Sequence, residues 1–321
     1  MELDVGLGRI ERAARELPAV FRDTPQYVEE QLCAAVGRTV LIKLEIANPI
    51  RSFKGRGADT MLASLPSGSS VVCASSGNFG QAIAYAGRAR GMPVEVFVPY
   101  DLNPDKRRRM ETFGARLTPA GAGSAEARLA AADFAAQHPE VTFVEDGRQP
   151  AFAEGAGTIG VELARAEPCD AVVLPVGDGA LITGVARWLK AHRPDTRIVG
   201  VSAAGSPAMV RSVEAGHPVT VEATTFADGI AVSTPIEESV RRVRALVDEF
   251  VLVDDAAILD AMVLAARTLG VLPEPAGAAG LAAIASGAIA GDRVATVVTG
   301  ANPRPEVAAT VAARIGAPVA S

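Results

Sequence analysis

The stretch Ala171-Val172-Val173-Leu174-Pro175-Val176-Gly177-Asp178-Gly179-Ala180-Leu181-Ile182-Thr183-Gly184 passes from a continuous apolar run into a small-residue turn and then into a helical pattern. A run without polar alternation suits a strand buried on both faces, as in a parallel sheet covered by helices. The same pattern recurs outward along the chain. Strands are expected at Thr39–Glu45, Ser70–Ala74, Val94–Pro99, Val141–Val144, Ala171–Val176, Arg197–Ser202, Phe250–Asp254 and Val294–Thr299. Between them, helices are expected at Phe79–Arg90, Pro104–Phe113, Ser124–Gln137, Phe152–Ala166, Leu181–Ala191, Ala256–Leu269 and Ala276–Ser286. The fold class is therefore α/β, with open, twisted, mostly parallel sheets flanked by helices. Asn103-Pro104 and Thr234-Pro235 each place a cap residue before a proline and predict helix starts.

With 321 residues, the chain is long enough for roughly two domains at about 150 residues each. Its residues are 49% hydrophobic and 21% charged, which predicts a sizeable core rather than disorder. The net charge of -6 exerts no global pull on nucleic acid, and no nucleic-acid partner is expected. The three histidines, His138, His192 and His217, sit in contexts that read as helix ends and turns. Cys33, Cys73 and Cys169 are isolated and odd in number, as in a reduced cytoplasmic protein. Without a Cys-x-x-Cys or His-x-x-x-His pair, no metal site is expected. The N-terminal residues are acidic early and lack an apolar run, so no secretory leader is expected. Pro275 to Gly291 is too short for a membrane span and reads as a buried helix and turn, so no membrane partner is expected either.

The Gly177–Leu181 turn lets backbone N–H groups approach an anion at a helix N-terminus. It is not a dinucleotide fingerprint, because the glycines are Gly177, Gly179 and Gly184, and no Gly-Lys-Ser/Thr follows. A monophosphate fits best. Three further segments carry chemistry. Asn48–Ala58 places Lys54 in a turn leading into a helix, with Arg51 and Arg56 expected to lower its pKa. Ala74–Ala82 gathers Ser75, Ser76 and Asn78 at a helix N-terminus suited to a carboxylate. Thr299 ends the last strand and points into the crevice where open α/β sheets bind ligands. Singly, each segment also reads as an ordinary surface lysine, capped turn or strand end. The run Lys106-Arg107-Arg108-Arg109 reads as a solvated helix face.

Jointly, an activated lysine, an anion loop, a monophosphate cradle and a terminal hydroxyl describe a pyridoxal phosphate site. The motifs Ser52-Phe53-Lys54-Gly55-Arg56-Gly57-Ala58, Ser75-Ser76-Gly77-Asn78, Gly177–Leu181, Ala227–Val232 and Glu274-Pro275-Ala276-Gly277-Ala278 span most of the chain. In these motifs the sequence resembles the fold type II pyridoxal-phosphate-dependent enzymes, the tryptophan synthase β family. It is most similar to the threonine/serine dehydratase and serine racemase branch.

The resemblance implies a small domain, 68–147, inserted in a large one made of 1–67 and 148–321. It implies that Lys54 forms a Schiff base with pyridoxal 5'-phosphate and that Phe53 packs on its ring. Asn78 is implied to bond the ring 3-oxygen, Thr299 the pyridine nitrogen, and Gly177, Asp178, Gly179, Ala180 and Leu181 the phosphate, with Glu274 nearby. Ser75, Ser76, Asn78 and Gln81 are implied around the substrate carboxylate. The implied activity is α,β-elimination of a small β-hydroxy or β-substituted amino acid to a 2-oxo acid and ammonia, in a cytoplasmic homodimer. Alternatives are a racemase with Ser76 as second-face acid/base, a β-replacement or threonine-synthase-like enzyme, and a pyridoxal phosphate binder without turnover.

Three departures from the family pattern stand out. Asp178 replaces a glycine and is expected to turn outward or to meet a cation or donor. Phe79 replaces a histidine. The strand ending at Ser202 runs into Ala203-Ala204-Gly205 and lacks the metal-binding glutamate of several relatives. From the chain length, no C-terminal regulatory domain is expected.

Overall fold

The computed structural model describes residues 3–316. Its strands are β1 (Gln26–Val28), β2 (Thr39–Leu44), β3 (Ser70–Ala74), β4 (Val94–Val98), β5 (Arg116–Pro119), β6 (Val141–Phe143), β7 (Ala171–Pro175), β8 (Arg197–Ala203), β9 (Glu249–Val253) and β10 (Arg293–Val298). Its helices are α1 (Leu7–Glu16), α2 (Glu30–Val36), α3 (Lys54–Ala63), α4 (Asn78–Ala89), α5 (Pro104–Thr112), α6 (Ser124–Gln137), α7 (Pro150–Leu163), α8 (Ala180–His192), α9 (Ala208–Ala215), α10 (Glu237–Leu246), α11 (Asp255–Thr268), α12 (Pro275–Ala285) and α13 (Pro305–Gly316). All eight expected strands are present, shifted by a residue or two at their ends.

Two sheets form. One has six strands in the order β1-β2-β10-β7-β8-β9, and the other has four in the order β5-β4-β3-β6. Every pairing is parallel except β1 on β2. The last strand in sequence, β10, lies inside the large sheet, with Val298 opposite Leu44 of β2 and Val294 opposite Ala171 of β7.

Strand alternation divides the core between layers. In β7, Val173 packs with Ala279, Ile258 and Met262 beneath α11 and α12. Its neighbours Val172 and Leu174 pack with Ile159, Ile182 and Val185 beneath α7 and α8. In the small sheet, Val71, Cys73 and Val96 face Ile83 of α4, whereas Val72 and Phe97 face Ala127 and Ala131 of α6.

The Asn103 side chain accepts from the Asp105 N–H at 2.9 Å and caps α5 as expected. The start expected at Thr234-Pro235 is corrected, because α10 begins at Glu237 behind Ile236. Thr234 instead pairs its hydroxyl with that of Thr220 at 2.9 Å, and the residue before a proline disfavours helical torsions.

Candidate active site

The chain after β2 is folded back onto the end of β10 by a side-chain-built turn. Asn48 Oδ1 accepts from the N–H groups of Ile50 (3.1 Å) and Ser52 (3.3 Å). Arg51 takes φ 51° at the bend, and Ser52 bridges to Gly300. The Phe53 N–H then donates to the Thr299 carbonyl at 3.0 Å, and the Ala301 N–H donates to the Arg51 carbonyl at 2.9 Å. This clamp sets Lys54, the first residue of α3, beside Thr299 at the end of a central strand.

Both residues line a cleft of about 350 Å³. Its walls come from the carboxyl ends of strands in both sheets, where open parallel sheets place ligands. Phe53, Ser75, Ser76, Asn78, Gly177, Asp178, Gly179, Ala180, Leu181, Glu274 and Thr299 all line it. The Lys54 ammonium stands 4.9 Å from the centroid of the Phe53 ring.

Asn78 is held on three sides. Its Nδ2 donates to Glu274 Oε1 at 2.6 Å, while its Oδ1 accepts from Asn302 Nδ2 at 2.8 Å and from Gln81 Nε2 at 3.4 Å. Glu274 Oε2 also accepts from the Asn302 N–H at 3.2 Å. Burial pushes the Glu274 carboxyl above its ordinary range, against the pull of Lys106 and these two donors. Ser75 Oγ accepts from the Gly77 N–H at 3.1 Å, and Ser76 Oγ lies 3.5 Å from Ser124 Oγ.

The phosphate-type cradle opens α8. Gly179 occupies its N-cap position at φ 85° with no side-chain cap, so the first-turn N–H groups stay available to an anion. A Cβ on Gly179 would also stand 2.6 Å from Ser239 Oγ.

Several expectations are corrected. Gln81 is fully buried and does not line the cleft; Arg109 Nε holds its Oε1 at 2.8 Å, and its Nε2 supports Asn78. Neither Arg51 nor Arg56 lines the cleft. Arg56 points back into the large sheet, where it meets Glu45 at 2.8 Å and Glu162 at 2.6 Å. The partner of Lys54 is instead Asp146, at the turn after β6, whose Oδ1 is buried without a hydrogen bond. Asp178 does not turn outward. It lines the cleft, and burial together with nearby Asp146 pushes its carboxyl up to about 7, opposed by Lys54 and Arg128. Lys106 is buried and lines the cleft, so the basic run is not wholly a solvated face. Phe79 packs edge-on against Phe152, with centroids 5.0 Å apart.

Asp146, Lys106 and Arg128 on the cleft, and Asn302 behind Asn78, are among the residues that sequence reading missed. Asp146 had a usable signal, because it follows an expected strand at its carboxyl end, as Ser75 does.

An uncapped helix N-terminus behind a left-handed glycine, a lysine beside an aromatic ring, and a buried hydroxyl-bearing strand end are groups that fit pyridoxal phosphate. Fold and site thus define an α/β enzyme of the pyridoxal phosphate class. Residues 19–300 match the model of the family described as pyridoxal-phosphate dependent enzyme, and the chain belongs to that family. Pyridoxal 5'-phosphate is its cofactor.

The chain is 33% identical to the L-threonine ammonia-lyase of Thermotoga maritima over 304 residues, covering 93% of this chain and 76% of that protein. It is 34% identical to the biosynthetic L-threonine dehydratase IlvA of Mycobacterium tuberculosis over 305 residues, covering 91% and 71%. Among solved structures, maize serine racemase superposes with a TM-score of 0.89 at 26% identity, covering 98% of both chains. A T.th. threonine deaminase superposes with a TM-score of 0.86 at 28% identity, covering 92% of this chain and 98% of that one.

Proposed function

We propose that the protein is an ammonia-lyase that converts a small β-hydroxy amino acid, threonine or serine, to a 2-oxo acid and ammonia. The observation that carries this reading is a single cleft with Lys54 on one side, the Ser75–Asn78 loop on another, and neutral Thr299 at the end of β10. The likeness to threonine ammonia-lyases over most of the chain supports it.

Bound pyridoxal phosphate supplies an electron sink for charge developing at the substrate Cα. Lys54 Nζ is the base that takes the Cα proton, and Asp146 keeps that amine oriented in the cleft. The 177–181 N–H groups at the start of α8 would hold its phosphate. Thr299 would offer the ring nitrogen a neutral partner, which would limit charge build-up in the ring and favour loss of the β-substituent over transamination. The Cβ–O bond then breaks, and the hydroxyl takes up the proton that Lys54 Nζ removed from Cα and departs as water. The released enamine takes up water to give the 2-oxo acid and ammonium.

In the same reading, residues 68–147 form the small domain between 1–67 and 148–321. This division is supported by the confinement of the four-stranded sheet to residues 70–143. The working form is a cytoplasmic homodimer, for which sedimentation reads two chains per particle.

The test is an amino-acid panel scored separately for 2-oxo acid release, enantiomer formation and added-nucleophile products. L-Threonine or L-serine gives 2-oxo acid as the main product, and Lys54→Ala lowers that rate by about 10³-fold or more. Predominant enantiomer formation would move the assignment to a racemase. Full turnover by Lys54→Ala would remove Lys54 from catalysis.

A further inference from the structure

Three cations line the cleft: Lys54, Lys106 and Arg128. Two of them are committed to carboxylates within hydrogen-bonding reach. Lys54 pairs with Asp146, and Arg128 Nε lies 3.2 Å from Glu145 Oε1. Lys106 differs. Its side chain is 8% exposed, and the one carboxylate within 4 Å of it among the described residues is Asp228, at 3.6 Å, beyond good hydrogen-bond length, while Glu274 feels its charge from farther off. Asp228 has a closer cation of its own, Arg304 Nε at 3.1 Å. Lys106 can therefore turn to another anion without leaving a carboxylate unpaired, and its own desolvated charge calls for one.

Its position says which anion. A Cβ built on Gly77 would lie 3.7 Å from Lys106 Nζ, so the ammonium abuts the Ser75–Asn78 loop. That loop contributes only neutral groups, and the Asn78 amide is already taken by Glu274, Asn302 and Gln81. An amino-acid carboxylate brought out of water here needs a charge-assisted donor, and Lys106 is the cation placed to give one.

We infer that Lys106 is the residue that receives the α-carboxylate of the amino-acid substrate, making it a binding and specificity residue of this site. This rests on the ammonia-lyase reading for the identity of the substrate but not for the test. Lys106 lies on α5 of the small-sheet layer, whereas Asp228, Arg304 and Glu274 belong to the large-sheet layer. The carboxylate therefore binds where the two layers meet.

The experiment uses the holoenzyme and two probes with no leaving group, L-alanine and L-alaninamide, with binding read from the change in the cofactor's absorption band. The unaltered protein binds L-alanine at least about 10-fold more tightly than the amide. Lys106→Met weakens L-alanine about 10- to 100-fold, leaves L-alaninamide within about twofold, and keeps its cofactor content, while Lys106→Arg recovers most of the loss. Equal binding of the two probes by the unaltered protein overturns the inference, whatever the variants do. So does equal weakening of both probes in Lys106→Met, which is what a merely structural lysine would give. Failure of the lyase reading looks different: carboxylate-selective binding persists, but L-threonine and L-serine release no 2-oxo acid.

Discussion

Asp178 is the residue of the phosphate turn whose side chain works against a phosphate. Burial first, and Asp146 second, push its carboxyl up to about 7, whereas in an unfolded chain it titrates near its ordinary value of about 3.9. Below about pH 4 both states hold the proton, and the contribution is fully present. As pH rises from about 4 through about 7, the unfolded chain releases the proton more readily than the folded one, and stability is lost. Asp178→Asn carries no such penalty. Its melting temperature therefore exceeds the parent's by about 2–4 °C at pH 8, and the two converge near pH 4. Removing the charge also tightens pyridoxal phosphate binding by about 10-fold at pH 8. An absorbance titration of both proteins at pH 6 and 8 checks this, because the phosphate's own titration is common to the two. Parallel pH slopes would sink the idea. The residues legible in sequence were those whose motif is continuous, Lys54 in its turn and Ser75 to Asn78 before a helix. Lys106 was not, because only the tertiary fold brings a basic helix start to the cleft, and Asp146 carried only the weaker signal of following a strand end.

Elements deliver these residues to the site, and two contacts behind it fix how precisely. Helix α8 carries the phosphate turn and crosses α7 so closely that a Cβ on Gly184 would stand 1.9 Å from the Ala153 carbonyl oxygen. Gly184, three residues beyond the turn, lets two helix backbones touch. Gly184→Ala forces α8 away, costing about 1–3 kcal/mol in urea unfolding. It also weakens pyridoxal phosphate binding, because the turn moves with the helix. Unfolding loss without loss of cofactor affinity would separate the two elements. Beneath α3, Arg56 joins Glu45, just after β2, to Glu162 of α7, and Lys43 Nζ meets Glu162 Oε2 at 2.5 Å. Although burial works to raise Glu162, Arg56 and Lys43 hold it below its ordinary value. Arg56→Met leaves Glu45 and Glu162 buried with only Lys43 between them, and about 3–5 kcal/mol of stability is lost. A loss under about 1 kcal/mol would show that the network relaxes. Long apolar strands were legible because burial on both faces leaves no alternation to misread. The edge strands β1 and β5 were not. The first has only three residues, and the second is Arg-Leu-Thr-Pro, with its charge and proline at an exposed sheet edge.

At the scale of the whole molecule, the site belongs to neither sheet alone. Lys54, the 177–181 turn, Glu274 and Thr299 come from the large-sheet layer, whereas Ser75 to Asn78 and Asp146 follow β3 and β6 of the small sheet. Direct polar links across the cleft are few: Asn78 with Glu274 and Asn302, Lys54 with Asp146, and Lys106 with Asp228. A ligand that touches both layers adds to these links and stabilises the folded state by mass action, about 2.7 kcal/mol at 100 times its dissociation constant. Pyridoxal phosphate at that excess therefore raises the melting temperature. It also slows amide hydrogen exchange both at 75–78 and at 177–181, because each segment then opens only when the ligand leaves. No residue of helix α1, which packs against α7 and α8, lines the cleft, and its exchange is expected to stay unchanged until global unfolding. Protection confined to 177–181 would mean that the cofactor is held by the large-sheet layer alone, and Asn78 would then lose its assignment to the ring. Lys54→Ala sharpens the comparison: on the proposed assignment it removes a covalent link but leaves the 177–181 turn, so protection is expected to weaken at 75–78 more than at 177–181.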